Sequence, residues 1–455
     1  MRIIKEIPAD TLTPISVYLR LKGKNKVILE SIPRENDQSR FSIIALNPVK
    51  QVKFTDGVLT VNDEVVSTDE PLKFVEKLVC LADKNDEDNL PFTSGAIGYA
   101  GFDTYGIFEK IQPELIDEIG TPDLYFMLYE NAIVFDHKRE KLILVEDNIY
   151  SHRGEEALQA ALTEKIEALS VLTEAEKRIP KLSKMNFTSN TTKEVFKEKV
   201  EAAKALIKNG DMFQIVLSQR LSADFTENPF DYYRQLRVEN PSSYMYFLEF
   251  DDFHVIGSSP ERLVAVHGNQ VSTNPIAGTR KRGADEFEDQ QLIEELENDQ
   301  KEIAEHKMLV DLGRNDIGKL SEYGSISVPV FMKVEKYRYV MHITSEVKGQ
   351  LRPEFSAMDA LLATLPAGTL SGAPKHRAYQ RIYEFEQDKR GIYGGAIGYL
   401  TKNGNCDFAI AIRTMILKNK KAHVQAGAGI VYDSVPELEY QETLNKARGL
   451  LEIGE

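Results

Sequence analysis

Two pairs of glutamates carry the spacing of a helical metal site. Glu302 and Glu305 lie three residues apart in "KEIAEHKMLVDL", and Glu439 and Glu442 repeat that spacing in "ELEYQET". Residues three apart share one face of a helix. Two carboxylates about 4 Å apart repel by about 4 kcal/mol at an effective dielectric of 20, so four that converge would need a cation. All-oxygen ligands that leave room for water and substrate favour Mg²⁺.

The same spacing also fits a simpler interpretation. Glutamate-rich helices usually expose their acidic face to solvent, and most of "DEFEDQQLIEELENDQKE" (285–302) is typical of such a face. Spacing alone does not show that the two pairs converge. A solvated surface therefore stands beside the metal site as the alternative.

Other segments predict a cradle for a small polyanion. "QAGAGIVY" offers backbone amides at 427–429. Arg413 lies in "FAIAIRTMIL", which predicts an apolar strand, where a charge is costly unless it meets an anion or an internal salt bridge. The basic run 280–282 in "NPIAGTRKRG" also suits an anionic ligand. His342 in "VMHITSEV" is either an acid–base group or a satisfied core histidine.

Composition bounds the class of protein. The 455 residues are 42% hydrophobic and 28% charged, and 455 residues exceed a single compact core. The net charge of −15 argues against nucleic acid and anionic membranes as partners. No stretch suits a signal peptide or a membrane span. With only Cys80 and Cys406, the chain predicts neither a disulfide framework nor a zinc site, and a cytoplasmic location is expected.

The elements divide into two predicted domains. Strands dominate the first 150 residues, including a hairpin that turns at Asp56-Gly57 and a strand pair in "NAIVFDHKREKLILVED". A helix is expected over 155–178. The segment from 178 to 190 gathers Pro, Ser, Thr and Asn without periodicity, which indicates a linker. We therefore predict an N-terminal domain over 1–178 and a second domain over 190–455.

The second half begins and ends on predicted helices. Thr191 or Thr192 is expected to cap the first helix and Gly210 to end it, and the last helix starts near Pro436. The string GAIGY occurs twice, in 94–103 and in 394–401. It is either a chance match or the mark of two sheets with related strands, where glycine permits close backbone approach.

Nine motifs in this order resemble one family. "SPERL", "NPIAGT", "EIAEHKMLVDLGRND", "VMHITSEVKG", "GTLSGAPK", "YGGAIGY", "AIRT", "AGAGIVYDSVPELEYQET" and "KA" are similar to the chorismate-utilising enzymes, which include anthranilate, aminodeoxychorismate, isochorismate and salicylate synthases. The motifs cover about 190 to 450, and "ILESIPREND" extends the match towards the N-terminus. The resemblance implies an α+β fold of two large antiparallel β-sheets with helices packed between and around them.

The resemblance also implies a site for chorismate and Mg²⁺. Glu305 and Glu442 match direct metal ligands, and Glu302 and Glu439 match flanking carboxylates that often act through water. Glu261 matches the general acid that protonates the departing hydroxyl, so its pKa should be raised. His342 matches a histidine of the later pyruvate elimination. The matching substrate-binding residues are Gly278, Thr279, Thr369, Tyr393, Arg413, Gly427, Ala428, Gly429 and Lys446.

Two positions in the family indicate the nucleophile. Isochorismate and salicylate synthases have a lysine in place of Gln214, and many aminodeoxychorismate synthases have one in place of Ala277. Neither lysine is present, so the resemblance implies ammonia as the nucleophile and anthranilate as the product, with aminodeoxychorismate synthase as the alternative. Neither cysteine lies in a glutaminase-like sequence. A separate glutamine amidotransferase subunit (component II) is therefore implied, in a heterotetramer of two large and two small subunits.

A second motif implies feedback by L-tryptophan. Glu30 and Ser31 in "VILESIPREND" match the effector motif, and Ser243, Tyr244 and Met245 match its facing segment. Tyr and Met suit an indole ring, although an ordinary hydrophobic strand is the alternative. Ser243 replaces the usual proline. A non-catalytic tryptophan sensor is the rival class, and the presence of the acid and metal residues argues against it.

Overall fold

The computed structural model describes residues 1–31, 40–80, 90–111, 115–336 and 340–454. Residues 32–37 of the predicted effector motif "VILESIPREND" lie outside these residues, whereas Glu30 and Ser31 lie inside. Within the described ranges, no helix is both long and apolar enough to cross a membrane.

Sheet 1 contains twelve described strands, and every pairing within it is antiparallel. In spatial order they are β1 (Arg2–Pro8), β10 (Lys141–Asp147), β9 (Asn131–Asp136), β3 (Phe41–Ala45), β2 (Val27–Glu30), β13 (Tyr244–Glu249), β14 (Phe253–Ser259), β23 (Thr414–Lys418), β24 (Lys421–Ile430), β12 (Gln214–Asp224) and β11 (Thr188–Ser189), with β20 (Gly372–Ala373) also paired to β12.

Sheet 2 also contains twelve described strands in antiparallel pairs. Their spatial order is β17 (Ile276–Lys281), β19 (Val340–Gln350), β16 (Gln270–Thr273), β15 (Arg262–His267), β22 (Cys406–Ile410), β21 (Ala396–Thr401), β7 (Gly95–Ala100), β8 (Leu124–Tyr129), β4 (Lys50–Thr55), β5 (Val58–Val61) and β6 (Glu64–Val66), with β18 (Ser327–Lys336) also paired to β19.

The helices and one 3₁₀ turn surround these sheets. They are α1 (Pro14–Arg20), α2 (Pro71–Val79), α3 (Thr104–Phe108), α4 (Glu155–Leu169), α5 (Glu174–Lys177), α6 (Lys193–Lys208), α7 (Pro229–Glu239), α8 (Glu286–Asn298), α9 (Gln300–Gly318), α10 (Ala357–Thr364), the 3₁₀ turn (Gly368–Leu370), α11 (Lys375–Glu386) and α12 (Pro436–Leu451).

Three apolar clusters show how the layers pack. One lies directly between the sheets and includes Val134 and Leu248 of sheet 1 and Met127 of sheet 2. A second joins sheet 1 to helices on its outer face. The third contains residues of both sheets and of α10 and α11, so the sheets diverge there and helices fill the gap. The predicted α+β fold, with helices between and around two antiparallel sheets, is confirmed.

Local sequence signals explain several boundaries. The β4–β5 hairpin turns at Asp56 (φ 49°) and Gly57 (φ 82°), as the Asp-Gly pair predicts. The Thr192 side chain accepts a hydrogen bond from the backbone N–H of Val195 at the start of α6, and Gly210 follows that helix with φ 80°. The last helix begins at Pro436, also as predicted.

Strands from both sides of the predicted linker share each sheet. β2 pairs with β13 in sheet 1, and β7 pairs with β21 in sheet 2. Residues 178–187 carry no helix or strand, as the sequence indicates. Both parts of the chain therefore contribute strands to both sheets. The division into domains over 1–178 and 190–455 stays a prediction.

The repeated GAIGY string marks neighbouring strands of one sheet rather than two separate sheets. β7 and β21 pair so that Gly98 lies opposite Gly398. A Cβ placed on Gly398 would lie 2.0 Å from the carbonyl oxygen of Asp407, and one on Gly98 would lie 2.0 Å from that of Tyr125. Glycine is therefore required by close backbone approach.

We expect Gly398→Ala to destabilise the fold by about 3 kcal/mol or more, because the added methyl group meets backbone that cannot move aside. Gly154→Ala is the matched control, since a Cβ there meets nothing within 4 Å. Denaturant titration of both variants would measure the difference. Equal stability of the two variants would contradict the prediction.

Candidate active site

Two adjacent crossovers between the sheets carry charged side chains. Glu261 follows β14 of sheet 1 and precedes β15 of sheet 2, while Arg413 lies between β22 and β23 on the return path. The carbonyl of Glu261 accepts from the N–H of Ile410 at 3.0 Å, and that of Arg413 accepts from Ser258 at 3.0 Å. The single strand predicted through "FAIAIRTMIL" is wrong, because Arg413 has φ 49° and the chain changes sheets there.

Glu261 has the protonation state of an acid catalyst. Its carboxyl group is buried, with the Thr369 hydroxyl oxygen 3.4 Å from one carboxyl oxygen and 3.5 Å from the other. Desolvation raises the pKa of Glu261 to about 8, against smaller lowering contributions from Ile276, Thr369 and Lys446. A carboxyl group with this pKa holds its proton at neutral pH and can donate it.

The two glutamate pairs approach one another on α9 and α12. Burial, and then repulsion from Glu305, raises the pKa of Glu302. Burial also raises the pKa of Glu305, with Glu442 adding repulsion across the two helices. The pKa of Glu439 is raised by burial and by Glu442. The carboxylates therefore lie within range of one another's charge, with Glu439 buried and the Glu442 side chain 46% exposed.

This acidic group suits a metal that takes few protein ligands. Across the described part of the chain, no three His, Cys, Asp or Glu side chains form a preassembled metal cluster. Mg²⁺ commonly takes one or two carboxylates and keeps its other positions for water and substrate. Carboxylates that repel one another across two helices fit that requirement.

Lys446 lies among these acids. Its ammonium group is 2.6 Å from a carboxylate oxygen of Glu442 and donates to the carbonyl of Gly427 at 3.1 Å. Lys446 also lowers the pKa of Glu305 and of Glu261 by charge interaction. The Lys446 charge therefore acts both on the carboxylates predicted to bind metal and on Glu261.

Glycines of β24 form the wall beside the carboxylates. A Cβ on Gly427 would lie 2.9 Å from the Tyr393 hydroxyl, and one on Gly429 would lie 4.0 Å from a Glu305 carboxylate oxygen. Ala428 is fully buried and pairs with Leu217, so its methyl group belongs to the core. This wall therefore presents backbone atoms, rather than side chains, to a ligand.

Gly278 brings β17 to the same acids. It has φ 65°, and a Cβ there would lie 3.3 Å from a Glu302 carboxylate oxygen. The Gly278 carbonyl accepts from His342 Nδ1 at 3.0 Å, so that nitrogen carries hydrogen and Nε2 is the atom able to take up a proton. Thr279 pairs with His342 in the ladder. The structure thus brings the predicted acid, histidine and metal residues to one region.

Arg413 is suited to an anionic ligand. Among the residues that the structure describes, no carboxylate pairs with it, and desolvation lowers its pKa. Within that part of the chain, Arg413 does not form the internal salt bridge considered from the sequence. A half-buried guanidinium without a carboxylate is a binding group for one.

The basic run at 280–282 does not form the predicted anion site. Arg280 lies 2.9 Å from Glu295 and 2.9 Å from Asp299, and Arg282 lies 2.6 Å from Asp289. These carboxylates belong to α8 and to the junction with α9. Arg280 and Arg282 therefore neutralise carboxylates of the helices beside them.

A separate cavity of about 850 Å³ contains all five predicted effector residues in its lining. They are Glu30, Ser31, Ser243, Tyr244 and Met245. Glu30 and Met245 are direct register partners on β2 and β13. The Glu30 carboxylate already accepts from Tyr233 at 2.7 Å and from Arg237 at 2.8 Å.

Sequence reasoning missed Arg262, which connects the cavity to the acid group. Its guanidinium donates to the Tyr244 hydroxyl at 2.7 Å and lies 3.4 Å from Asp407, to which Tyr244 donates at 3.0 Å. All three line the cavity. Its position immediately after Glu261 in "SPERL" is the signal that could have found it.

Comparisons with known proteins agree with this architecture. A family model described as chorismate binding enzyme matches residues 25–452. Anthranilate synthase component 1 of Lactococcus lactis subsp. lactis (strain IL1403) is 80% identical over 100% of both chains. The crystal structure of anthranilate synthase component I from Streptococcus pneumoniae TIGR4 has 52% identity and a TM-score of 0.87, and covers 98% of this chain and 99% of that one.

A more distant structure shows the fold alone. The menaquinone-specific isochorismate synthase of Escherichia coli is 20% identical with a TM-score of 0.74, over 100% of this chain and 95% of that one. The chain belongs to the chorismate-binding enzymes. Within them, its family is anthranilate synthase component 1.

Proposed function

We propose that this chain converts chorismate and ammonia into anthranilate, pyruvate and water, the first step of tryptophan biosynthesis. The observation that carries the proposal is the buried Glu261, whose pKa is raised to about 8 and which lies on the crossover beside that of Arg413. A protonated acid and an unpaired guanidinium suit a substrate with carboxylates and a hydroxyl leaving group. Family membership supports the same chemistry.

The chain's own groups account for two of the proton transfers, and the ammonium group formed at carbon 2 releases its extra proton to solvent. The ammonia lone pair forms a bond to ring carbon 2, the two ring double bonds shift, and the bond from carbon 4 to oxygen breaks. Glu261 gives its proton to that oxygen, which leaves as water. His342 Nε2 then takes the proton from carbon 2 while the enolpyruvyl oxygen leaves carbon 3, and enolpyruvate gains a proton to become pyruvate.

The site fits Mg²⁺. We assign Glu305 and Glu442 as direct ligands, with Glu302 and Glu439 beside them. When bound, the ion neutralises the ring carboxylate and stabilises charge that develops in the ring. We assign substrate contacts to Arg413, Thr369 and Tyr393, the backbone of 278–279 and 427–429, and Lys446.

The aminodeoxychorismate alternative is not favoured. Ala277 pairs with Ile343 on β19 and offers no amine to attack the ring. Ammonia must then come from outside the chain. The component 1 relatives support a component 2 partner, which we propose to be a glutamine amidotransferase in a cytoplasmic complex of two large and two small subunits.

The first test is the chain alone with chorismate, Mg²⁺ and ammonium salt at mildly alkaline pH. Chromatography and mass spectrometry should identify anthranilate and pyruvate. Glutamine should replace ammonium only after the amidotransferase is added. An aminated product that keeps its pyruvyl group would instead support the folate-branch alternative, and unchanged chorismate would rule out both.

We further propose that the 850 Å³ cavity binds L-tryptophan as a feedback inhibitor. It is distinct from the catalytic site, and its Arg262 wall directly follows Glu261 in the chain. A ligand that moves Tyr244 would therefore act on the residue beside the acid. A contact between the cavity wall and the residue beside the acid supports the proposed coupling of two distinct sites.

Met245→Ala should raise the tryptophan concentration for half-inhibition by about tenfold, because the indole loses an apolar contact. Ammonium-dependent turnover should change less than twofold. Met415→Ala is the matched control, since Met415 belongs to the same apolar cluster but does not line the cavity. Equal inhibition of both variants would disprove the assignment.

A further inference from the structure

A buried hydrogen bond joins α9, which carries Glu302 and Glu305, to the wall of the 850 Å³ cavity. His306 follows Glu305 on α9 and is fully buried. Its Nε2 lies 2.7 Å from the hydroxyl oxygen of Ser345 on β19, and Ser345 lines the cavity. His306 Nδ1 has no hydrogen-bond partner among the described residues. Within those residues, Ser345 is therefore the one hydrogen-bond partner of the imidazole.

This hydrogen bond fixes the rotation of α9 about its axis. Consecutive residues of a helix point about 100° apart, so a bond that holds His306 to β19 also sets the direction of Glu305. α9 packs against β17 and β19. A buried hydrogen bond on that face is costly to break, because both partners are then left unpaired away from water. His306 is thus placed to orient the carboxylate that we assign to Mg²⁺.

The same hydroxyl group also holds an irregular stretch of β18. Ser345 Oγ accepts from the backbone N–H of Met332 at 2.9 Å. Met332 has φ 54°, and the register of β18 on β19 shifts between Val330 and Lys333. A non-glycine residue keeps such a backbone conformation only where its neighbours hold it. Val330 and Glu335 of β18 also line the cavity, so an occupant of the cavity meets β18 as well as Ser345.

We propose that His306 positions Glu305 for Mg²⁺ and that an occupant of the cavity weakens metal binding by shifting Ser345. The inference rests on the proposed function and deepens it, because it names the contact through which L-tryptophan acts on the metal. The contact through Arg262 reaches the acid, whereas this one reaches the carboxylates of α9. Coupling between two binding sites is reciprocal, so Mg²⁺ must weaken L-tryptophan binding by the same factor.

Three variants isolate this hydrogen bond. His306→Leu removes it with a side chain of similar size, whereas the amide group in His306→Gln can still bond to the hydroxyl. Ser345→Ala removes the same bond from the other partner and is measured if His306→Leu does not fold. His423→Leu is the matched control, since the buried His423 bonds the Ser222 hydroxyl at 2.9 Å and does not line the cavity.

Calorimetric titration of the full-length chain with Mg²⁺, with and without saturating L-tryptophan, measures the coupling independently of turnover. In the unaltered chain, L-tryptophan should raise the Kd for Mg²⁺ about fivefold or more, as is typical of coupled sites. His306→Leu should raise this Kd about fivefold without L-tryptophan, the effect of one lost hydrogen bond, and L-tryptophan should then change it less than twofold. His306→Gln and His423→Leu should both behave as the unaltered chain does.

The possible results separate the role of His306 from the proposed function. Equal Kd values for Mg²⁺ with and without L-tryptophan in the unaltered chain would overturn the coupling. An unchanged Kd in His306→Leu, or an equal rise in His423→Leu, would overturn the positioning role. If the unaltered chain binds no Mg²⁺ or is not inhibited by L-tryptophan, the proposed function fails and the coupling falls with it. If binding and inhibition are normal and His306→Leu keeps the full response to L-tryptophan, only the role of His306 is wrong.

Discussion

Glu261→Gln should lower turnover about 1,000-fold while chorismate still binds, because an amide cannot supply the proton that hydroxide needs to leave. The structure gives the reason that a carboxyl group serves here. Burial holds the pKa of Glu261 at about 8, so the acid form dominates at neutral pH. Stopped assays for anthranilate and equilibrium binding of chorismate would measure the two quantities separately.

The pH profile gives an independent check. At a fixed concentration of free ammonia, the rate of the unaltered enzyme should fall as pH rises through about 8, where Glu261 loses its proton. The residual rate of Glu261→Gln should not fall over this pH range. Glu297→Gln on the exposed face of α8 is the matched control and should keep both rate and profile. If the rate of Glu261→Gln still falls over that pH range, another residue supplies the proton.

The same group should affect stability with a definite sign. The folded chain binds the Glu261 proton more tightly than the unfolded chain, whose carboxyl group has its usual pKa near 4.5. Stability therefore falls as pH rises between those values, by up to about 1.4 kcal/mol per pH unit from this group. Glu261→Gln should gain stability over the unaltered chain as pH increases from 5 to 8, as measured by denaturant unfolding.

Glu305→Gln should also lower turnover about 1,000-fold, since it removes a proposed ligand of the ion that stabilises the transition state. A chelator should abolish the activity of the unaltered enzyme, and added Mg²⁺ should restore it. The variant should not respond to Mg²⁺ within that range. Glu437→Gln is the matched control, because Glu437 lies on α12 but pairs at the surface with Lys197 at 3.1 Å.

Thermal unfolding offers a readout besides activity. Burial, and then the charge of Glu442, raises the pKa of Glu305. Its ionised form therefore opposes folding at neutral pH in the absence of metal. Glu305→Gln should raise the Tm of the metal-free chain and reduce the further rise that Mg²⁺ gives. A metal-dependent rise equal to that of the unaltered chain would show that Glu305 is not a ligand.

Local elements could be predicted from the sequence because their signals are short-range. Asp56-Gly57, Thr192 and Pro436 each set a turn or a helix end within a few residues. Ordered motifs gave the fold class and the residues that meet at the candidate site. Helical spacing placed Glu302 with Glu305, but only the fold brings Glu305 of α9 within range of the charge of Glu442 on α12.

Other features depended on contacts that the sequence does not state. Apolar periodicity continues through "FAIAIRTMIL", although the chain changes sheets at Arg413. The basic run at 280–282 resembled an anion site because its partners, such as Asp289 and Asp299, belong to neighbouring helices. The sequence distinguishes Gln214 by the lysine it replaces, whereas only the structure shows that its side-chain oxygen has no hydrogen-bond partner among the described residues.

The sharing of both sheets between the two halves of the sequence has a consequence for biosynthesis. β2 needs β13, and β7 needs β21 near the end of the chain. Neither sheet can close on the ribosome until most of the protein has been made. During that time the first half of the chain has unpaired strand edges, which are prone to aggregation. We expect separately expressed halves to be insoluble alone and to recover activity only when produced together.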